Sequence, residues 1–160
     1  MEIVLNAFIV LLTIGGMEAF SWFIHKYLFH GPLWFIHKTH HRVNHSWFEL
    51  NDLFSLGFAL AALWLILAGS EFFDFRFWIG TGVSFYGIIY FIFHDGFIHR
   101  RFKTIKFGGT YFRAIRMAHK KHHKNMDRKP SKEYGLLIVG LKNFETGVSK
   151  TRLKQDLNSK

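Results

Sequence analysis

Three long apolar segments constrain the fold of this 160-residue chain more than any other feature. Residues 3–24 contain a single charged side chain, Glu18, and residues 53–69 and 77–93 contain none. As helices they would be about 33 Å, 26 Å and 26 Å long, which is the range needed to cross a bilayer core. Hydrocarbon cannot satisfy backbone hydrogen bonds, so spanning segments of this kind fold as helices. The sequence therefore predicts an all-α integral membrane protein with three to four transmembrane helices.

The alternative is a soluble helical protein, but too little polar chain remains to cover three such helices. The first segment also lacks the basic start and the small-residue cleavage site of a signal peptide. We expect a single membrane-embedded domain over residues 1–150 and a frayed polar tail over residues 151–160. The short apolar stretch at residues 136–141 cannot span a membrane, and we interpret it as a re-entrant or interfacial piece packed over the functional site.

Basic residues are concentrated in the second part of the chain. Residues 1–93 carry four basic and six acidic side chains, whereas residues 94–160 carry seventeen basic and five acidic ones. A basic half can indicate nucleic-acid binding, but the apolar segments favour a cytoplasmic, lipid-facing surface, so we expect no nucleic-acid partner. The absence of Cys excludes disulfides, iron–sulfur clusters and thiolate-ligated haem.

Ten of the eleven histidines form two sets with the same spacing, H-x4-H followed by H-x2-H-H. The first set ends the first apolar segment, and the second set begins where the third segment ends. Three spans place both sets on one side of the membrane, where they can share one site, and the basic tail assigns that side to the cytoplasm. The spacing predicts a histidine-rich dimetal site in a helical cap on that side. Its candidate ligands are His25, His30, His37, His40, His41, His94, His99, His119, His122 and His123.

The two motifs make different demands on a helix. The H-x2-H-H residues project from one face of an α-helix, because positions i, i+3 and i+4 are neighbours there. Five residues instead rotate a straight α-helix by about 140°, so His25 and His30 can reach one site only if the helix ends or distorts between them. Gly31 and Pro32 follow His30 directly, and Gly96 lies within the second H-x4-H motif. These residues allow the helix to end or distort at each motif.

Ten imidazoles would give five ligands to each of two metals and leave one position open on each. Imidazole suits zinc, copper, iron and nickel alike, so the ligand type does not identify the metal. The H-E-x-x-H signature of zinc proteases is absent. A transport protein would need ionisable residues within several spans, and the second and third contain none. His45 falls outside both sets and is expected to be a surface bystander, and some aromatic side chains should line the route to the metals.

Neutral imidazoles leave the metal charge uncompensated, so anionic side chains are expected nearby. Glu18 shares a helix face with the first histidine, seven residues later, and Asp95 directly follows a histidine. Glu49 and Asp52 enclose Asn51 just after the first set. We predict catalytic roles for Glu18, Asn51, Asp52 and Asp95, with Glu49 beside them, as partners of the ligands or as proton carriers. The alternatives are a purely structural acid at Glu18 and a helix cap at Asp52.

The motifs resemble the fatty acid hydroxylase/sterol desaturase superfamily of membrane di-iron oxygenases, and within it most closely the bacterial β-carotene hydroxylases. The histidine spacing carries the superfamily resemblance, which covers residues 1 to about 140. The closer resemblance, to the bacterial β-carotene hydroxylases, is carried by short stretches of sequence around the histidines and acids. These are Gly16-Met17-Glu18, His25-Lys26-Tyr27 leading to His30-Gly31, Phe48-Glu49-Leu50-Asn51-Asp52-Leu53, His94-Asp95-Gly96 leading to His99, and Met117-Ala118-His119 leading to His122-His123.

The resemblance implies that the ten histidines bind two iron ions, which zinc can displace during overexpression, and that O2 is a co-substrate. It implies hydroxylation of β-carotene at position 3 of each β-ring, through β-cryptoxanthin to zeaxanthin. Ferredoxin or a similar donor would supply electrons, and the carotenoid would come from the lipids of a bacterial inner membrane. The alternative within the superfamily is a hydroxylase or desaturase acting on fatty acyl, sterol or other carotenoid substrates.

Overall fold

The computed structural model describes residues 1–42, 48–101, 105–124, 128 and 133–144. Its main helices are α1 (Glu2–Ile24), α2 (Trp34–His37), α3 (Asp52–Gly69), α4 (Phe75–Tyr90) and α5 (Thr110–Lys124). A π-helical segment continues α1 over His25–Phe29, and another continues α4 over Phe91–Ile98. No β-strand occurs in these ranges, which confirms the all-α prediction.

Three helices are long and apolar enough to cross a membrane, namely Glu2–Phe29, Asp52–Gly69 and Phe75–Ile98. The first and third each extend five residues beyond the predicted apolar segment, because the π-helical segments continue them through the H-x4-H motifs. Their apolar side chains face outward, as Leu12 at 64% exposure and Trp64 at 65% illustrate. The one buried residue of α1 is instead the acid, Glu18. Apolar surface outside and a charge inside are what lipid around a helix bundle requires.

Close helix packing holds the bundle together, and α4 contacts both α1 and α3. Glycines of α4 lie at the two crossings. A Cβ on Gly82 would lie 2.6 Å from the Cβ of Thr13 in α1, and one on Gly80 would lie 2.8 Å from the Ala62 carbonyl oxygen in α3. Small residues let membrane helices approach closely, so van der Waals packing can hold the bundle together in lipid, where there is no hydrophobic driving force between helices.

Both H-x4-H motifs lie on π-helical turns. His30 N–H donates to the His25 carbonyl at 3.0 Å, and His99 N–H donates to the His94 carbonyl at 2.9 Å. These i→i+5 hydrogen bonds place the second histidine of each motif one turn above the first. The prediction that each helix ends or distorts between its two histidines is confirmed, and the structure shows a widened turn rather than an end.

The cap on the bundle is built around a small apolar cluster of Phe97, Ile98, Ile115 and Leu136. Leu136 brings the segment of residues 133–144 against α5 and the second π-helical segment. That segment lies over the histidines as predicted, while Ile138 and Leu141 are 77% and 81% exposed. Its contact with the membrane interface stays a prediction. His45 and residues 151–160 lie outside the described residues.

Candidate metal centre

The histidines of the two sets converge into two groups. Within each group one ring nitrogen from every member lies within 4.8 Å of all the others. The first histidine group consists of His25, His30, His37, His41 and His122, and the second histidine group consists of His40, His94, His99 and His119. The two sets exchange members, because His122 joins the first group and His40 joins the second. Both sets therefore build one centre, as the parity of the spans predicted.

The H-x2-H-H motifs differ in local structure. In α5 the second motif lies on a regular helix, whereas α2 ends at His37 and a turn carries His40 and His41. The prediction of a helical first motif is therefore wrong beyond His37. The turn serves the site, since it directs His40 to the second histidine group while His37 and His41 remain in the first.

The nitrogen spacings within the groups fit metal coordination. Nε2 atoms lie 3.1 Å apart in the pair His25–His37, 3.0 Å in His30–His122 and 3.0 Å in His99–His119. Imidazole nitrogens about 2.1 Å from one metal ion and about 90–110° apart would be separated by about 3.0–3.4 Å. Each group therefore has the donor type, the number of donors and the spacing to hold a metal ion.

The opposite ring nitrogens of five histidines bind fixed acceptors outside the groups. His25 Nδ1 donates to the Tyr134 carbonyl at 2.9 Å, and His30 Nδ1 donates to the Arg128 carbonyl at 3.3 Å. The other three donate to Asn51 Oδ1 (His37, 2.9 Å), Glu49 Oε2 (His40, 2.7 Å) and Asp95 Oδ1 (His94, 2.7 Å). Donation from Nδ1 leaves the Nε2 lone pair directed inward, which is the usual arrangement around a metal ligand.

His123 is the tenth histidine, and it packs beside the second histidine group without joining it by the same spacing. Its ring centroid lies 4.4 Å from that of His119 and 4.7 Å from that of His99. Its Nε2 is buried and has no hydrogen-bond partner among the described residues. A buried lone pair of this kind suits a fifth ligand, so the five-plus-five division stays a prediction for this residue.

Burial keeps the imidazoles neutral. It lowers the pKa of His30 to about 4, against a smaller opposing effect of the Arg128 carbonyl. It also lowers the pKa of His99 to about 4, and the nearby Arg101 guanidinium lowers it further. The pKa of His40 is well below its usual value for the same reason, so its contact with Glu49 is a hydrogen bond from a neutral ring. Neutral rings are the form that binds metals.

Arg101 connects the acidic residues that support the second histidine group. Its guanidinium donates to both carboxylate oxygens of Asp52, at 3.1 and 2.9 Å, and lies 3.8 Å from Glu49 and 3.6 Å from Asp95. Asp52 begins α3 and accepts a hydrogen bond from the Glu49 backbone at 2.9 Å. Sequence reasoning missed Arg101. The signal was available, because three acids predicted at one site require a neighbouring cation and Arg101 lies two residues after the second H-x4-H motif.

Glu18 lies apart from the other predicted acids. Its carboxylate is 5% exposed and accepts hydrogen bonds from Tyr86 and from the backbone of residues 136–138. The catalytic role that the sequence suggests for Glu18 stays a prediction, as do those of Asn51, Asp52 and Asp95. Tyr134 was also missed, because a backbone carbonyl leaves no signal in a sequence.

A cavity of about 1330 Å³ adjoins the second histidine group. Its wall is mainly apolar and comes from α1, α3 and α4. Asp52, Asp95, His99 and Arg101 line one part of it, whereas Ala62, Ile66 and Val83 line another. Aromatic rings line it as expected, among them Phe29, Phe54, Phe58 and Phe91. The cavity can therefore hold an apolar molecule with one end beside a histidine of the centre.

Known proteins resemble this chain over most of its length. The β-carotene hydroxylase of Pantoea ananas is 38% identical over 136 residues, which cover 84% of this chain and 77% of that protein. The β-carotene hydroxylase of Paracoccus sp. (strain PC1) is 38% identical over 152 residues, or 93% and 88% of the two chains. A chloroplastic β-carotene 3-hydroxylase of an Oncidium hybrid cultivar is 37% identical over 128 residues, covering 77% of this chain and 41% of the plant protein.

No solved structure matches the chain. The family model described as fatty acid hydroxylase matches residues 10–142, which include all ten histidines of the two sets and the cavity between α1, α3 and α4. Its relatives in bacteria and plants are β-carotene hydroxylases. The family match and the paired histidine groups agree, and the chain belongs to the fatty acid hydroxylase family.

Proposed function

We propose that this protein is a membrane monooxygenase that hydroxylates β-carotene at position 3 of each β-ring, through β-cryptoxanthin to zeaxanthin. The observation that carries the proposal is the apolar cavity that His99 lines, beside a centre with two histidine groups. The names of the relatives supply the substrate. The fatty acid hydroxylase family supports the runner-up, which is hydroxylation or desaturation of a fatty acyl, sterol or other carotenoid substrate.

The two histidine groups would each hold one iron ion, and zinc would fit the same donors in overexpressed protein. Bound iron supplies the means to activate O2. In the overall reaction one oxygen atom enters the ring C–H bond and the other leaves as water, which consumes two electrons and two protons. The nitrogen donors and their spacing support this assignment, since all of the grouped ligand atoms belong to buried or half-buried imidazoles.

The cavity would hold the carotenoid. Its volume of about 1330 Å³ exceeds the roughly 300–1,000 Å³ typical of pockets for drug-sized ligands, as a forty-carbon substrate requires. One β-ring would lie at the end lined by Asp95 and His99, and the polyene would extend between α3 and α4. A hydrocarbon of this kind is dissolved in the membrane lipids, and the cavity lies among the helices that would cross them.

The polar residues around the two histidine groups would orient their ligands and exclude bulk water. Glu49 and Asp95 hold the Nδ1 protons of His40 and His94, and Asn51 holds that of His37. Asp52 anchors Arg101 beside them. We propose Asp52 and Asp95, which face the cavity, as the acids that pass protons to the reacting site.

The electron donor would be ferredoxin or a similar acidic carrier docking on the basic face of a bacterial inner membrane protein. Support comes from the charge distribution, with seventeen basic side chains in residues 94–160. An acidic carrier is attracted to such a face, and the positive-inside bias assigns it to the cytoplasm. We keep residues 1–150 as a single membrane-embedded domain in this proposal.

The test is expression in bacteria engineered to make β-carotene, followed by extraction of the pigments and mass measurement. Products with one and two added oxygen atoms are expected, and they should disappear when His40 is replaced by Ala. Unchanged β-carotene, from protein that is in the membrane and binds two metal ions, would contradict the carotenoid assignment and favour the lipid runner-up.

A further inference from the structure

Glu18 is bound in an unusual way for an acid within a membrane-spanning helix. Its Oε1 accepts hydrogen bonds from three consecutive backbone amides, those of Leu136 at 3.0 Å, Leu137 at 2.8 Å and Ile138 at 3.1 Å. Its Oε2 accepts a fourth from the Tyr86 hydroxyl at 2.9 Å. Three hydrogen bonds to one side-chain oxygen fix the backbone of residues 136–138 against α1.

The segment held by Glu18 contacts the first histidine group through Tyr134. The Tyr134 carbonyl accepts the hydrogen bond from His25 Nδ1 at 2.9 Å. The Tyr134 ring centroid lies 5.6, 5.5 and 5.4 Å from the rings of His25, His30 and His122. Three of the five members of the first histidine group therefore contact one residue, two positions before the anchored amides.

Gly135 joins Tyr134 to the anchored amides by a tight turn. A Cβ at this position would lie 2.6 Å from the Ile138 carbonyl oxygen and 3.3 Å from Glu18 Oε1. The backbone oxygen cannot move aside without displacing the residues that Glu18 binds. The position of the Tyr134 carbonyl thus depends on the Glu18 anchor.

We propose that Glu18 is a positioning residue for the first histidine group, acting through the backbone of residues 134–138 to hold His25 with its Nε2 directed inward. The second histidine group is supported separately, by Glu49 and Asp95. Loss of the anchor should therefore weaken metal binding at the first group only. This inference rests on the proposed metal centre and is independent of the carotenoid substrate.

The experiment measures zinc bound per chain over a series of free Zn²⁺ concentrations, by elemental analysis of the full-length protein in detergent with Zn²⁺ as the only added metal. Wild-type protein should bind two ions. In Glu18→Leu one ion should bind at least about tenfold more weakly, the usual effect of losing support around a ligand. The amides of residues 136–138 should also exchange hydrogen faster. Glu18→Gln keeps an acceptor oxygen and should restore part of the affinity.

Two matched variants separate the anchor from general damage. Tyr86→Phe removes the fourth hydrogen bond to the same carboxylate while leaving the three backbone amides bound, and it should keep two ions. Gly135→Ala disturbs the turn from the other side and should reproduce the loss of one ion, even if Glu18→Leu fails to fold. Gly57→Ala, where a Cβ meets nothing within 4 Å, serves as its control.

Retention of two ions at wild-type affinity in both Glu18→Leu and Gly135→Ala would overturn the inference. Equal weakening of both ions would overturn it as well, because the effect would not be confined to the first histidine group. Wild-type protein that binds no zinc would overturn the proposed metal centre together with the inference. If wild-type protein fails to convert β-carotene while the variants show the expected zinc losses, the inference stands and only the substrate is rejected.

Discussion

At the scale of single residues, each supported histidine works through both ring nitrogens. One nitrogen faces its group, and the other binds a carbonyl, amide or carboxylate whose position is itself held. The sequence predicted the inward-facing nitrogens from spacing and several of the acids from charge. It could not predict Arg101 or the Tyr134 carbonyl, because their roles depend on contacts between residues distant in the chain, such as Arg101 with Asp52.

A first prediction concerns His122, which is fully buried and has its Nε2 3.0 Å from that of His30. His122→Ala should abolish product formation in the pigment assay and weaken zinc at one site, because the first histidine group loses a donor that no other part of the described chain supplies. His45→Ala, outside both histidine sets, is the control and should keep activity. Equal losses in the two variants would mean that the separation of ligand from bystander is wrong.

A second prediction concerns the charge of Arg101. Arg101→Met should lower the free energy of unfolding by about 1–3 kcal/mol, because it leaves three neighbouring carboxylates without their cation. Arg76→Met is the matched control, since Arg76 pairs with Asp74 in a solvent-exposed ion pair and such pairs contribute little to stability. Thermal unfolding of both variants in detergent provides the measurement. Similar losses of stability in the two variants would contradict a special role for Arg101.

At the scale of elements, hydropathy located the three long helices, and the H-x4-H spacing showed that two of them must distort. The form of the distortion, a π-helical turn continuous with α1 and α4, depends on backbone hydrogen bonds that the sequence pattern does not specify. The first H-x2-H-H motif was predicted on a helix and lies mostly on a turn. There the need to direct His40 to the second histidine group outweighs local helical periodicity.

The helix crossings yield a third prediction. Gly82→Ala should lower the melting temperature, because the added methyl group would meet Thr13 of α1 at 2.6 Å and force α4 outward. Overpacking of this kind commonly costs about 1–3 kcal/mol. Gly87→Ala, on the same helix, meets nothing within 4 Å and should leave stability unchanged or raise it slightly. The ranking of the two melting temperatures is the test, and a more stable Gly82→Ala would contradict the packing argument.

At the scale of the whole molecule, the bundle buries a centre of neutral imidazoles beneath a basic cap and beside an apolar cavity. Burial of these imidazoles therefore determines how the stability of the metal-free protein falls at acidic pH. His30 and His99 have folded-state pKa values of about 4, whereas an unfolded histidine titrates near about 6.5. Between these values the unfolded state binds more protons than the folded state, so stability must rise with pH.

The fourth prediction follows from this rise of stability with pH. The melting temperature of metal-free protein should be constant above pH about 6.5 and should fall steadily as the pH is lowered toward about 4. Melting curves in a pH series, recorded after removal of metal by a chelator, provide the measurement. A melting temperature that stays constant, or rises, over that interval would contradict the burial of neutral histidines.

The sequence by itself determined the helical class, the three spans, the ten histidines and the family. These properties follow from hydropathy and from the spacing of histidines that are close together in the sequence. Tertiary structure alone decided how the histidines divide, with His40 and His122 exchanged between the sets. The pair His30 and His122 is separated by 92 residues, and no periodicity relates them. Their contact depends on how α5 packs against the π-helical segment that continues α4, which places His122 opposite the widened turn of α1.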